Sequence, residues 1–196
     1  LKAQVQGRPL TTDEIVALIM MVIFGSVDTT VAAIGNMLHY LDLDSELRSR
    51  LIANRSLIPP AVEELLRFEP PIQGFARITT GPSVIKGQEI PAGKKVFLLY
   101  GSANHDEEIF ESPETVRIDR SPNLHLTFGV GVHHCQGASI ARMELRVVLE
   151  EVLERIPDYR ILRDGVVHTH SAGTIFERLS LPATVSARPP VGDRVA

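Results

Sequence analysis

From Ile15 to Val27 the chain runs almost without a polar side chain, and it then meets Asp28, Thr29 and Thr30 in succession. No other feature restricts the fold as tightly. Thr11 and Glu14 stand at capping-box spacing, and Asp13 and Glu14 put acids in a first turn, so a helix starts there. Its pattern reaches about Leu41, a length of roughly 45 Å at the usual rise per residue. Such a helix has to cross the middle of a globular protein. A membrane span needs about 20 apolar residues. This run is broken sooner and carries an acid, so the expectation is a helix buried in a soluble core, with no membrane segment.

The 196 residues are 44% hydrophobic and 22% charged, enough apolar material for one sizeable core. The net charge is -4 and basic residues are spread along the chain, which leaves no basic field for nucleic acid. A single cysteine allows no intrachain disulfide and fits a reducing cytoplasm. The first residue is Leu rather than Met, which suggests a fragment.

Further along, a short helix is expected over Ser45 to Asn54. Pro59-Pro60 start another, Ala61 to Phe68, that stops at Pro70-Pro71. Between Phe75 and Tyr100 the pattern turns to strands. Val84-Ile85, Glu89-Ile90 and Val96 to Tyr100 are separated by the turn signals Lys86-Gly87 and Pro91-Ala92-Gly93. Residues 101–127 read as an irregular, ordered meander. An amphipathic helix is expected from Ala138 to Arg155, with short strands at Tyr159 to Leu162 and around Ser180 to Val185. A loose tail is expected after Arg188.

The segment Phe128-Gly129-Val130-Gly131-Val132-His133-His134-Cys135-Gln136-Gly137 places the lone cysteine among three glycines just before that helix. Glycine lets the backbone turn sharply and approach a flat cofactor closely. Amides and dipole at a helix start favour a thiolate, and a thiolate is an electron-rich ligand for haem iron. Two other readings compete. Cys135 could be a buried structural cysteine in a tight turn. His133, His134 and Cys135 could bind zinc, but adjacent ligands lack the usual spacing of zinc motifs.

The ten-residue string resembles the haem-ligand loop of the cytochrome P-450 family, F-G-x-G-x-H-x-C-x-G, at every specified position. The resemblance makes Cys135 the proximal ligand of the haem iron. Phe128 packs beside the sulfur, Gly129 belongs to the turn, Gly131 and Gly137 permit close approach, and His133 pairs with a haem propionate. Glu64-Leu65-Leu66-Arg67 is similar to the family's E-x-x-R, completed by Arg120 from the meander. These three are expected to fix the fold rather than do chemistry. Val116 stands where members commonly carry Phe. Arg77 resembles the arginine that binds the other propionate, and Ile72, Gln73 and Phe75 before it resemble a substrate-contact strand near the pocket. Ile72, Phe75 and Thr174 to Phe176 make that pocket partly apolar.

Gly25-Ser26-Val27-Asp28-Thr29-Thr30 is similar to the family's oxygen-side signature A-G-x-D/E-T-T. It implies that Thr29 bonds iron-bound oxygen, that Asp28 feeds protons and that Gly25 lines the pocket. Gly25-Ser26 replaces the usual Ala-Gly pair. A threonine hydroxyl can also bond back to the preceding turn, opening a local bend.

The implied fold is mainly α with small β-sheets, the cytochrome P-450 fold from its long central helix onward. Residues 1–196 would be the carboxy-terminal part of one such domain, its amino-terminal half absent. The implied activity is a cytoplasmic haem b monooxygenase. It would insert one atom of dioxygen into a lipophilic organic molecule, with electrons from a ferredoxin-type or flavin-type donor. Arg142 and Arg146 are expected to be ordinary solvated helix residues, or to face an acidic redox partner. The alternatives are a non-catalytic haem-binding remnant, or a half that pairs with a second chain.

Overall fold

A computed structural model describes residues 3–169 and 174–186. A two-stranded ribbon, β1 (Gln4–Val5) and β2 (Arg8–Pro9), leads into the long helix α1 (Thr12–Leu43). The capping box forms as expected. The Glu14 N–H donates to Thr11 Oγ1 at 3.3 Å, and the Thr11 N–H donates back to Glu14 Oε2 at 2.8 Å. Asp44 then caps α2 (Ser45–Ala53), accepting from the Leu47 N–H at 2.9 Å. In α3 (Ile58–Phe68) both prolines occupy the first turn, where a missing N–H costs nothing.

Strands β3 (Gly74–Ile78) and β6 (Lys95–Leu99) pair antiparallel, as do β4 (Ser83–Ile85) and β5 (Gln88–Ile90). Lys86 and Gly87 both have positive φ, at 44° and 81°, so two residues close the β4–β5 hairpin with the twist such hairpins prefer. Tyr100 opens a single helical turn, α4 (Tyr100–Ala103), instead of ending a strand. The meander follows, then α5 (Ala138–Arg155) with the expected bounds. Strands β7 (Arg160–Ile161) and β10 (Ala183–Thr184) pair, and β8 (Val167–His168) pairs with β9 (Arg178–Ser180). The sequence pattern showed neither the β1–β2 ribbon nor the β8–β9 pair. The expected tail after Arg188 lies outside the described residues.

One core joins four helices. Met37 and Leu41 of α1, Leu47 and Leu51 of α2, Leu65 and Leu66 of α3, and Leu145, Leu149 and Leu153 of α5 meet in it, with Ile118 of the meander. Burying a side chain of this size contributes about 1.5–3 kcal/mol.

The expectation that α1 is buried along its length needs correcting. Every residue from Val16 to Asp28 is exposed, Met21 to 64% and Phe24 to 63%, whereas Ala32, Ala33 and Met37 are buried. An apolar pattern records a preference for burial, and no described segment covers this half of the helix. By length and composition alone α1 could cross a membrane. Its second half is committed to the protein core, where Asn36 Nδ2 donates to Phe176 O at 3.3 Å and Asp42 Oδ1 accepts the Ile161 N–H at 3.3 Å. α5 is likewise less one-sided than expected, because Ile140, Met143 and Val147 form an exposed apolar stripe opposite the buried leucines.

Candidate functional site

The loop before α5 is shaped by its own backbone. Gly129 and Gly131 sit at φ 67° and 68°, in the left-handed region that side chains with a Cβ avoid. The Gly129 N–H donates to Leu126 O at 2.8 Å, and a 3-10 turn, Gly131–His133, returns the chain so that the Cys135 N–H donates to Phe128 O at 2.8 Å. The Cys135 thiol emerges exposed. Gly137 keeps an ordinary negative φ. Its value is its proximity to the sulfur, since an added Cβ would stand 3.9 Å from Sγ. His133 and His134 are exposed, and Phe128 is half-buried against the core. Among the described residues no three His, Cys, Asp or Glu side chains gather as a metal site.

Behind this loop, Glu64 and Arg67 are fully buried and joined at two points. Arg120 Nε donates to both Glu64 oxygens at 3.2 Å, which brings the three expected residues together. Three partners were not foreseen. The Arg117 N–H donates to Glu64 Oε1 at 2.8 Å, Asn123 Nδ2 donates to Oε2 at 3.0 Å, and Arg67 Nη1 donates to Asn104 O at 2.8 Å. Buried Phe110 lies under both guanidinium groups. Each nitrogen of the Arg67 guanidinium and each oxygen of the Glu64 carboxylate thereby has at least one partner. Val116, where a bulkier ring was the comparison, packs half-buried against the core.

On α1, Thr29 Oγ1 donates to Gly25 O at 2.7 Å, and Ser26 Oγ donates to Ile23 O at 3.3 Å. The back-bond expected of the threonine forms, but the helix continues through it without a break. Asp28 is exposed, and a Cβ on Gly25 would meet nothing within 4 Å. Arg77 lies exposed on β3, donating to Ala76 O at 2.9 Å and pairing with no acid among the described residues. Ile72 bridges to Ile175, the Gln73 N–H donates to Thr174 O at 2.7 Å, and the Phe176 N–H donates to Pro71 O at 2.7 Å. The expected substrate strand is therefore tied to residues 174–176. Phe75 stands 42% exposed with its ring edge-on to Tyr100.

Arg142 departs from its expected role as a solvated residue. It is half-buried, because the Glu63 carboxylate and the Phe128 ring draw it onto the protein. Arg146 stays exposed beside Glu150, one turn on. A polar groove of about 380 Å³ between α2 and the meander, lined by Asp44, Arg50 and Arg117 among others, contains none of the expected site residues.

The family model for cytochrome P-450 matches residues 1–156, which include the turn at Cys135 and the Glu64–Arg67 pair.

This chain belongs to the cytochrome P-450 family.

Cytochrome P-450 proteins bind haem through a cysteine thiolate. Among them the chain is 36% identical over 96% of its length to a steroid C26-monooxygenase of Mycolicibacterium smegmatis, covering 47% of that protein. It is 41% identical over 92% of its length to cytochrome P-450 130 of Mycobacterium tuberculosis, covering 45% of it. Substrate-free CYP109E1 from Bacillus megaterium superposes with a TM-score of 0.90 at 32% identity, over 95% of this chain and 49% of the other. The expected fold, mainly α with small β-sheets, is the fold observed. The chain spans about half the length of the curated relatives it matches.

Proposed function

We propose that this chain is the haem-bearing, carboxy-terminal part of a single cytochrome P-450 domain and that it works as a monooxygenase. One observation carries the reading. The only thiol of the chain is exposed at the end of a glycine turn whose backbone fixes it.

The residues present fit a haem. Cys135 offers a soft donor, space beside Gly131 is open, and Arg77 and His133 offer N–H groups for two carboxylates. When bound, haem with its thiolate supplies oxygen activation and favours O–O cleavage. The chain's own groups do the rest. Arg77 and His133 hold the propionates, and Phe128 packs beside the sulfur. Thr29 presents its hydroxyl on the oxygen side, its O–H now donated to Gly25 O, and Asp28 is the exposed carboxylate that relays protons to it.

The organic substrate is read as lipophilic, because Ile72, Phe75 and the exposed Val16–Val27 face are apolar. A ferredoxin-type or flavin-type donor supplies the electrons, and a cytoplasmic setting agrees with the single cysteine. The exposed apolar face of α1 and the stripe Ile140, Met143 and Val147 are surfaces for the remainder of the domain to cover.

Haem-loaded protein, reduced under carbon monoxide, tests the reading. The strongly red-shifted band of thiolate ligation is expected, and Cys135→Ala is expected to lose it. An unshifted band in the unmutated protein overturns the assignment of Cys135.

A further inference from the structure

Glu63 precedes the buried Glu64 but faces a different neighbourhood, since successive helix residues point about 100° apart. Arg142 Nε donates to Glu63 Oε1 at 2.7 Å and Arg142 Nη2 donates to Oε2 at 2.9 Å, a fork of two bonds to one carboxylate. His125 Nε2 lies 3.1 Å from Glu63 Oε2. The Thr127 N–H donates to His125 Nδ1 at 3.3 Å, so Nδ1 holds a lone pair and the ring proton on Nε2 points to Glu63.

Both groups held by Glu63 flank one ring. The Arg142 guanidinium carbon is 4.4 Å from the Phe128 centroid, and the His125 ring centroid is 6.0 Å from it. The Phe128 carbonyl accepts the Cys135 N–H at 2.8 Å, so the ring under Arg142 and the thiol-bearing residue belong to one hydrogen-bonded loop.

We propose that Glu63 and Arg142 are positioning residues for the Cys135 thiolate, Glu63 holding the guanidinium over Phe128 so that the ligand loop stays fixed with one cation packed against it. This rests on the haem-thiolate reading. A fixed cation beside a metal-bound thiolate favours the reduced state, which carries one more negative charge. Losing that cation therefore shifts the midpoint potential to more negative values.

The test is the ferric/ferrous midpoint potential of haem-loaded protein, with the ferrous carbon monoxide band recorded on the same samples. Arg142→Gln is expected to move the potential negative while keeping the thiolate band. The Arg142 side chain is 39% exposed, so the variant is expected to fold. Glu63→Gln is expected to move the potential in the same direction although it deletes a negative charge, because it frees Arg142. Arg142→Lys restores charge without the fork and is expected to recover part of the shift. An unchanged potential in Arg142→Gln, a positive shift in Glu63→Gln, or no recovery in Arg142→Lys overturns the inference while the thiolate band stands. Absence of that band in the unmutated protein removes the haem-thiolate reading, and this inference with it.

Discussion

Glu64 and Arg67 lie one turn apart on α3 and bond at two points, Nε to Oε2 at 3.0 Å and Nη2 to Oε1 at 2.9 Å, with side chains 1% and 0% exposed. A surface pair at this spacing contributes about 0.2–0.5 kcal/mol. A buried one behaves differently, because removing one member strands the other without solvent. Glu64→Ala leaves Arg67 and Arg120 without their carboxylate and is expected to cost about 3–5 kcal/mol in urea denaturation. A loss below about 1 kcal/mol would mean that water reaches the guanidinium groups.

Part of the acid sensitivity should trace to Glu63. Burial pushes its carboxyl up, but the hydrogen bonds from His125 and Arg142 prevail and hold it at about 2, against an ordinary value of 4.5. The folded value lies below the unfolded one. The stability this group contributes is therefore present above 4.5 and lost as pH falls from 4.5 toward about 2. Melting temperatures at pH 6 and pH 3 check this: the fall on acidification is expected to be smaller in Glu63→Gln than in the unmutated protein.

Two glycines should fail for different reasons. A Cβ on Gly74 would stand 2.2 Å from Leu98 O and 2.9 Å from the Phe97 ring, across the β3–β6 ladder. Gly74→Ala is expected to lose about 2 kcal/mol or more, because backbone must move. A Cβ on Gly131 meets nothing within 4 Å, so only its positive φ is strained, at about 1–2 kcal/mol. Gly131→Ala should thus be the more stable variant in denaturation, yet the poorer at haem uptake, because its methyl enters the open space beside the ligand loop.

The proton role assigned to Thr29 predicts a partition between product and waste. Thr29→Ala is expected to reduce product formation about 10²-fold while reductant is still consumed, and Thr29→Ser, which keeps a hydroxyl, to retain most of it. Product formed per electron consumed is the measurement. Equal coupling in Thr29→Ala would remove the hydroxyl from the proton path.

Local features were legible in the chain. The Thr11–Glu14 capping box, the prolines opening α3, the Lys86-Gly87 turn and the bounds of α5 all depend on residues a few positions apart. The Cys135 loop belongs with them, because its shape depends on two left-handed glycines and on hydrogen bonds within ten residues. The Glu64–Arg67–Arg120 set was legible only through its resemblance to a family. Its other partners, Asn104, Asn123 and the Arg117 amide, left no pattern to read.

By itself, then, the sequence determined where the longer helices begin and end and which residue presents a thiol, since short-range sterics and hydrogen bonds decide such matters. Tertiary structure decided what each helix face meets. It joined Glu63 to Arg142 across 79 positions, turned an apparently solvated arginine onto Phe128, and left the apolar first half of α1 uncovered while burying the second. The reason is that burial and ion pairing depend on segments distant in the chain, and an apolar or charged residue encodes only its preference for such a neighbour, never which neighbour it finds.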